Sequence, residues 1–547
     1  MNILLTTLNA KYIHKNLALR WLYVTKPEHF QVDIKEYTIN DDLDKIIIDM
    51  DVINYNVLGI SVYIWNAELT KILIDKIKQV NPVIRIILGG PEVTYENDEW
   101  FDHPIEAIVV GEGEKVFWEY LKGEDYQGVK LTRSQIIMPV KVDIAWLERF
   151  DNPYFLDIDQ DTINNRYLYL ECSRGCPYKC QYCLSSVDDQ VRFFSLPYLF
   201  KIFDQLTQYD IRQVKFLDRT FNVYNQRALT LIKYLNELPV KSNFHMELVA
   251  ESLSDELLDY LLKQADPTRF RFEIGVQSFN IKTLKSISRY TNIERLNTVV
   301  KSLVARQIIV HTDLIAGLPY EDLNSFAQSY DQLFALNSHE IQVGILKMLK
   351  GTPLKDRTKE LGINYQEKAP YDIIDNKWLS SDDLAIIQCV DLATDKTLNS
   401  HKISHTINEL ITYHKASPFW LMSIIGKAIK KLGRPYQNKE LFMVIYHELI
   451  DHYETELIQR LLLIDYYYHS RQRPQSLFNL PYDKHKINQF IKDHHFINDH
   501  IKDNYTIITP VVYHDEWVYQ LVLYNNKQLP AKTYILDLNK ETIKELV

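Results

Sequence analysis

Short apolar runs rich in Ile, Leu and Val alternate with stretches of helical period from the start of the chain. "NILLTT" from Asn2 leads to "LALRWLYV" from Leu17, then to "QVDIKEY" (31–37), "NVLGISV" (56–62), "AELTKILIDKIKQV" (67–80), "VIRIILGG" (83–90), "EAIVVGEGE" (106–114) and a short helical stretch over 116–121. Brief apolar runs bounded by turn residues mark strands covered on both faces, and apolar positions recurring every three to four residues mark helices. The alternation predicts a doubly wound parallel α/β sheet of five strands over residues 1–125.

A polar, irregular connector (126–165) leads to a second alternating region. Its strands read "RYLYLEC" (166–172), "QVKFLD" (213–218), "NFHMELVA" (243–250), "RFRFEIGV" (269–276), "QIIVHTDLI" (307–315) and "EIQVGILKM" (340–348). Helical patterns lie between them, one of them "SDELLDYLLKQ" with Ser254 as N-cap and Glu256 in the first turn. Six βα units over 166–361 predict a partial parallel barrel, whose chemistry belongs at the carboxyl ends of its strands. From 362 to 547 the pattern becomes mainly helical, including a long amphipathic run over 440–469, with three strand-like segments near the end.

The first barrel strand runs into "CSRGCPYKCQYC" (172–183), which holds four of the five cysteines. Cys176, Cys180 and Cys183 follow C-x3-C-x2-C, a spacing that lets three thiolates on one loop face a common centre. Three ligands leave one iron of a four-iron four-sulfur cluster open, whereas electron-transfer clusters take four. A zinc site closed by Cys172 and a cluster bound by all four thiolates are the alternatives. Cys172, at a strand end, is expected to pack inside the barrel, and Cys389 in "AIIQCV" reads as a core thiol. In the first domain, Gly59, Gly89, Gly90, Gly111 and Gly113 are read at strand ends and mark a ligand-facing edge.

Composition narrows the classes. At 547 residues with 46% hydrophobic content the chain has material for several cores. A formal charge of −10 and a pI near 6.0 supply no overall basic field, so nucleic acid is not the expected partner. No apolar run approaches the roughly 18 residues of a membrane span, and "MNILLTTLNAKYIHK" lacks the order of a signal peptide. Five cysteines, four of them clustered, do not build a disulfide framework. A cytoplasmic protein with metal or redox chemistry is expected.

"SRGCPYKCQYC" resembles the C-x3-C-x-aromatic-C signature of radical S-adenosylmethionine enzymes, with Tyr182 in the aromatic place. The resemblance implies that Cys176, Cys180 and Cys183 bind three irons, that S-adenosylmethionine chelates the fourth, and that an electron from a flavodoxin- or ferredoxin-type reductant cleaves it. "FLDRTFN" (216–222) is similar to the second-strand segment near the methionine moiety, which implies Asp218 as a partner of its amine. "FEIGVQS" (272–278) resembles the segment at the ribose and carboxylate, implying Glu273 and Gln277, and "DLIAGLPYE" (313–321) the adenine segment, implying Ile315 and Gly317.

The first domain resembles the cobalamin-binding domain that precedes this barrel in one large subclass, through "GISVYIWN" (59–66), "IILGGPEV" (86–93) and "VVGEGE" (109–114). The resemblance implies that Ser61, Gly89 and Gly90 line the nucleotide-tail pocket. The D-x-H-x-x-G sequence that gives cobalt a histidine is missing, and His14 in "LNAKYIHKNLAL" is out of register. The C-terminal region resembles the uncharacterised domain of some cobalamin-type radical enzymes. The expected function is cobalamin-dependent methyl transfer to an unactivated centre of an unidentified small-molecule or macromolecular substrate. The alternatives are radical rearrangement or RNA modification, and an iron-sulfur sensing module without turnover. RNA methylthiotransferases carry three further cysteines before a similar barrel, and residues 1–171 contain none.

Overall fold

In the computed structural model the described residues are all of the chain except 125–126, 189, 434, 470–476, 479–482, 494–504, 514–515, 525–531, 538–541 and 546–547. They form two compact units. The first holds Met1–Asp322, Leu336–Ser338 and Ile345–Ser380, and the second Leu323–Ala335, His339–Gly344 and Ser381–Val547.

The first unit begins with β1 (Asn2–Asn9), α1 (Leu17–Val24), β2 (Gln31–Thr38), α2 (Leu43–Met50), β3 (Val57–Ser61), α3 (Ala67–Val80), β4 (Arg85–Gly89), β5 (Ala107–Val109), α4 (Val116–Lys122) and β6 (Val129–Lys130). The sheet order is β2-β1-β3-β4-β5-β6, parallel except for β6. One face packs Leu4, Leu58 and Ile86 against Ile46 of α2 and Leu73 of α3. The other packs Ile3, Leu5 and Val57 against Leu19 of α1 and Trp118 of α4. Coverage on both faces explains why these strands read as unbroken apolar runs rather than as alternating ones. Helix α2, whose N-cap Asp42 accepts from Asp44 N and Lys45 N, was absent from the pattern reading, because "LDKIIIDM" is as compatible with a strand as with a short helix. The edge strand β6 enters from the stretch expected as connector.

Two glycine assignments change. Gly59 is in the middle of β3, where a Cβ would come within 2.8 Å of Leu5 and 3.2 Å of Phe117, so it serves helix packing and not a ligand edge. Gly111, at φ +98°, takes the backbone of Val140 against its α-carbon, with a Cβ only 2.4 Å from the Val140 oxygen.

After α5 (Ile144–Leu147) comes the second sheet, with β7 (Leu168–Leu170), β8 (Ser173–Arg174), β9 (Arg192–Phe193), α6 (Leu196–Gln205), β10 (Gln213–Phe216), α7 (Asn225–Glu237), β11 (Asn243–Leu248), α8 (Asp255–Lys263), β12 (Phe270–Gln277), α9 (Ile281–Ser286), α10 (Ile293–Ala305) and β13 (Ile309–Ala316). Strands β7, β10, β11, β12 and β13 are neighbours in that order and all parallel, whereas β8 and β9 form a separate antiparallel pair. Ser254 caps α8 by accepting from Leu257 N at 3.2 Å, as its sequence implies. Along β12 and β13 buried residues alternate with half-buried ones, the buried set facing the helices and the half-buried set the lumen. The sixth predicted strand is present as Glu340–Ile345.

The second unit is helical, with Ser381–Ala393, Ser404–Thr412, Pro418–Lys430, Asn438–Leu449, Thr455–His469 and Lys484–Asp493, followed by four antiparallel strands between Tyr505 and Glu545. The run expected as one helix over 440–469 breaks between Leu449 and Thr455, where Asp451, His452 and Glu454 are exposed. Cys389 is buried where two of these helices cross so closely that a Cβ on Gly426 would lie 1.8 Å from the Cys389 carbonyl oxygen. No helix among the described residues is long and apolar enough to cross a membrane.

Candidate functional site

Strand β7 ends two residues before Cys172, so the cysteine loop begins at the carboxyl edge of the sheet. Its base is closed twice. Ser173 and Arg174 of β8 pair with Phe193 and Arg192 of β9, and Gly175, at φ +91°, is crossed by the backbone of Gln190, whose oxygen would lie 2.1 Å from a Cβ. Only glycine admits that crossing. Inside the loop, Cys183 N donates to Cys180 O at 3.1 Å, Gln181 N to Ile287 O at 3.0 Å, and Ser186 Oγ to Cys183 O at 2.7 Å.

Cys176, Cys180 and Cys183 are electrostatic neighbours. Burial raises the Cys176 thiol first, and the other two thiols add to it, while the Tyr178 backbone and Thr220, 3.7 Å away, oppose the rise. Such thiols ionise when a cation arrives. Cys172 keeps different company. It is buried, its thiol is raised well above the ordinary range by burial and then by Asp218, and its charged neighbours are Asp218, Arg227 and Glu171. Among the described residues no group of three His, Cys, Asp or Glu side chains is arranged to hold one metal ion. A four-iron cluster asks for a different arrangement, one thiolate on each of three irons, and three neighbouring soft donors on one loop with the fourth cysteine segregated fit that demand.

The residues implied for S-adenosylmethionine separate into two groups. Tyr182 lies beside Cys180, Cys183 and Arg289, and burial raises its hydroxyl above the usual range. Gln277 sits at a register shift of β12 in the left-handed region, φ +71°, with its Nε2 over Gly275 and its Oε1 buried without a partner. Glu273 and Ile315 lie on the half-buried lumen face. The Glu273 carboxyl is held below the usual carboxylate range by His245, whose Nε2 donates to Oε2 at 3.0 Å.

Asp218 and Gly317 are placed differently from expectation. Asp218 is 2% exposed, and its two oxygens accept from Cys172 N at 2.8 Å and Ser173 Oγ at 2.5 Å, so it ties the second strand to the root of the loop. The carbonyl of Gly317 accepts from Asn376 Nδ2 at 2.8 Å, and its α-carbon faces Ile373. Two groups were missed. Asp313 faces the lumen with Oδ1 unpartnered, and burial, then Glu273 and Glu247, raises its carboxyl well above the usual range. Arg289 stands behind Tyr182 and Cys180, donating Nη2 to Gly275 O. The signal for Asp313 was available in "VHTDLI", where Asp313 stands two residues from His311 and from Ile315 and so shares one face of the strand with them.

The Asp218 geometry has a measurable consequence. Burial raises its carboxyl from 3.8 to about 7. Between those values the folded protein keeps a proton that the unfolded chain releases, so this group's contribution makes stability fall as pH rises from about 4 to about 7, by on the order of 1 kcal/mol per pH unit. Asp218→Asn, which cannot titrate, should remove that slope from the difference between wild type and variant in urea unfolding, and equal slopes would show that the carboxyl is not buried in this way.

At the first sheet's carboxyl edge, a Cβ on Gly89 would meet nothing within 4 Å, whereas one on Gly90, at φ +107°, would lie 2.5 Å from Val62 O. Gly89 thus borders open space and Gly90 makes the turn. Ser61 is buried beside them at the end of β3, its carbonyl accepting from Thr7 Oγ1 at 2.8 Å. An open floor at Gly89 fits a bulky ligand's tail. His14 is committed elsewhere, with Nδ1 2.6 Å from the Tyr169 hydroxyl. "VVGEGE" faces the cysteine loop. Arg174 Nη2 lies 2.7 Å from both Glu114 Oε1 and Glu171 Oε1, with Glu112 at 3.4 Å from Nη1, and Arg192 Nη2 is 2.5 Å from Glu112 Oε1. These carboxylates clamp the loop, a role that the glycines beside them concealed.

Comparisons with known proteins match three successive stretches of the chain. Residues 3–121 match the B12 binding domain, residues 170–333 the radical SAM superfamily, and residues 359–536 a family described as a protein of unknown function, DUF4080. The cobalamin-dependent radical SAM methyltransferase TokK of Streptomyces tokunonensis is 25% identical over 353 residues, 58% of this chain and 51% of that protein. The 2-(S-pantetheinyl)-carbapenam-3-carboxylate methyltransferase of Streptantibioticus cattleyicolor is 25% identical over 338 residues, 56% of this chain and 49% of that protein. The chain thus spans about half the length of these curated relatives. The cobalamin-dependent S-adenosylmethionine radical enzyme OxsB, solved with aqua-cobalamin, shares the fold with TM-score 0.59 at 16% identity over 85% of this chain and 80% of that one. TsrM of Kitasatospora setae, solved with cobalamin and a [4Fe-4S] cluster, gives 0.53 at 16% over 67% and 78%. The chain carries a radical SAM domain behind a B12-binding domain, and these two families bring a [4Fe-4S] cluster, S-adenosylmethionine and cobalamin as cofactors.

Proposed function

We propose, from a radical SAM domain set behind a B12-binding domain, that the protein is an enzyme that transfers a methyl group to an unactivated centre of its substrate. The observation that supports the reading is the grouping of Cys176, Cys180 and Cys183 apart from Cys172, a set that would leave the fourth iron of a bound cluster without a protein ligand. When bound, the cofactors supply the electron, the radical precursor and the methyl carrier. The protein supplies position and shielding. Cys176, Cys180 and Cys183 would hold the cluster, with Tyr182 and Arg289 covering its loop. Gln277, Glu273, Ile315 and Asp313 would present the lumen face to S-adenosylmethionine, while Asp218 and Gly317 fix the backbone around it. Ser61 and Gly89 would floor the cobalamin tail, with Gly90 as the turn. His14, held by Tyr169, would leave cobalt without a protein imidazole. The electron would come from a flavodoxin- or ferredoxin-type protein, in a cytoplasm reducing enough to keep the thiols free.

Anaerobically reconstituted protein given S-adenosylmethionine and a reductant should release 5′-deoxyadenosine, and S-adenosylhomocysteine as well once cobalamin is added. Absence of 5′-deoxyadenosine favours a non-catalytic iron-sulfur protein. Its presence without cobalamin uptake favours another radical reaction. Gly89→Trp separates the two domains' parts, because its side chain enters open space where Gly90→Trp would force Val62 aside. Iron content and 5′-deoxyadenosine formation should persist in Gly89→Trp while cobalamin retention is lost. Full cobalamin retention would place the tail elsewhere.

A further inference from the structure

Residues 347–357 fall between the radical SAM match, which ends at 333, and the DUF4080 match, which begins at 359. We infer that this stretch is a positioning element that ties the Gly89–Gly90 turn to the cysteine loop and so fixes the gap across which a methyl group would pass. The inference rests on the proposed function for its purpose, and on contacts alone for its existence.

At one end, Lys350 is 7% exposed, with Nζ 3.0 Å from Glu92 Oε1 and 2.8 Å from Glu99 Oε1. The Tyr371 hydroxyl donates to the same Glu92 oxygen. Gly351 N donates to Glu96 Oε1 at 3.1 Å, and Lys355 Nζ to Glu96 Oε2 at 2.6 Å. Gly351 has φ +76° and its backbone lies against the Tyr95 ring, with a ring carbon 2.4 Å from where a Cβ would stand, so only glycine lets the ring come this close. Glu92 is two residues beyond Gly90. At the other end, Leu354 N donates to Gln181 O at 3.0 Å, and Arg357 Nη1 donates to Gln181 Oε1 at 2.6 Å and Ser286 O at 3.1 Å. Gln181 stands between Cys180 and Tyr182.

Eight residues, Lys350 to Arg357, therefore reach from the turn beside Gly89 to the middle of the C-x2-C segment. Burying Lys350 together with Glu92, with Glu99 reaching in from the exposed side, is a costly way to gain stability, and a hydrophobic filler would pack as well. Its fixed geometry suits a spacer, since a shift of about 1 Å between reacting groups can cost roughly 100-fold in rate.

The test is Lys350→Met beside the conservative Lys350→Arg. Amide hydrogen exchange of the chain without added cofactors should quicken roughly 2- to 30-fold in Lys350→Met at 90–99 and also at 176–187, which Lys350 does not touch. Lys350→Arg should restore most of the protection. Quickening confined to 90–99 overturns the inference. In protein loaded with cluster and cobalamin, the dipolar coupling between cob(II)alamin and the reduced cluster, read by electron paramagnetic resonance, should be sharp in wild type and spread in Lys350→Met. An unchanged coupling also overturns it. Failure of the wild type to take up cobalamin would sink the proposed function and leave the exchange result to decide the tie. Should Lys350→Met not fold, Arg357→Met reads the same tie from the loop end, where unchanged exchange at 90–99 overturns it.

Discussion

Cys176→Ala, Cys180→Ala and Cys183→Ala should each fail to hold the roughly four irons per chain expected of anaerobically reconstituted wild type. Cys172→Ala should keep them. The expectation follows from where the four sulfurs stand. Three thiols share one loop, with Cys180 and Cys183 both close enough to raise the Cys176 thiol, whereas Cys172 is buried beside Asp218 and Arg227. Removing any one of the three leaves two thiolates to hold a cluster that needs three, and the loss should be complete in iron and sulfide assays and in the visible spectrum. Removing Cys172 takes a small apolar contact from the core and leaves its backbone N–H on Asp218 in place. Stoichiometric zinc without iron in the wild type would defeat the reading outright. Loss of the cluster in Cys172→Ala would return the four-thiolate alternative.

The second large effect is expected at Arg174. Its guanidinium is nearly buried and lies between Glu114, Glu171 and Glu112, with the Trp21 indole N–H donating to Glu171 Oε1 at 2.6 Å. Arg174→Met fills much of the same space but leaves three carboxylates facing one another with Arg192 alone to offset them. Breaking a buried pair in this way costs about 3–5 kcal/mol. Arg174→Lys keeps the charge but cannot make the bidentate contact with Glu171, so it should recover only part of the loss. Urea unfolding under anaerobic conditions measures both. A midpoint in Arg174→Met equal to wild type would mean that the glycine crossing and the β8–β9 pairing hold the loop without the carboxylate clamp.

The elements of the first sheet were legible because doubly covered strands leave unbroken apolar runs and α3 repeats its apolar residues over almost four turns. Helix α2 was passed over although Leu43, Ile46, Ile47 and Met50 follow the helical period, because Ile48 beside them makes so short a stretch read equally well as a brief apolar run. The break at Ile450–Glu454 was hidden by the apolar positions continuing on either side. At the site, the cysteines were legible because they sit close together in sequence. Arg174 with Glu114 was not, because a pair sixty residues apart leaves no periodic trace and forms only when two sheets meet. The glycines misled in part for a simpler reason. A glycine in an apolar strand run admits a ligand, a neighbouring backbone or a helix side chain equally well, and the space beside Gly89 distinguishes it from Gly59 and Gly111.

The doubly closed base of the cysteine loop bears on how the protein would survive damage. The Gly175–Gln190 crossing and the Ser173–Phe193 pairing are made by protein alone, so the entropy of drawing the loop's ends together is spent during folding and not when iron arrives. A chain stripped of its iron by oxygen would therefore keep the shape of its nest. Refilling the site would then ask for iron and sulfide and not for closing the base of the loop again.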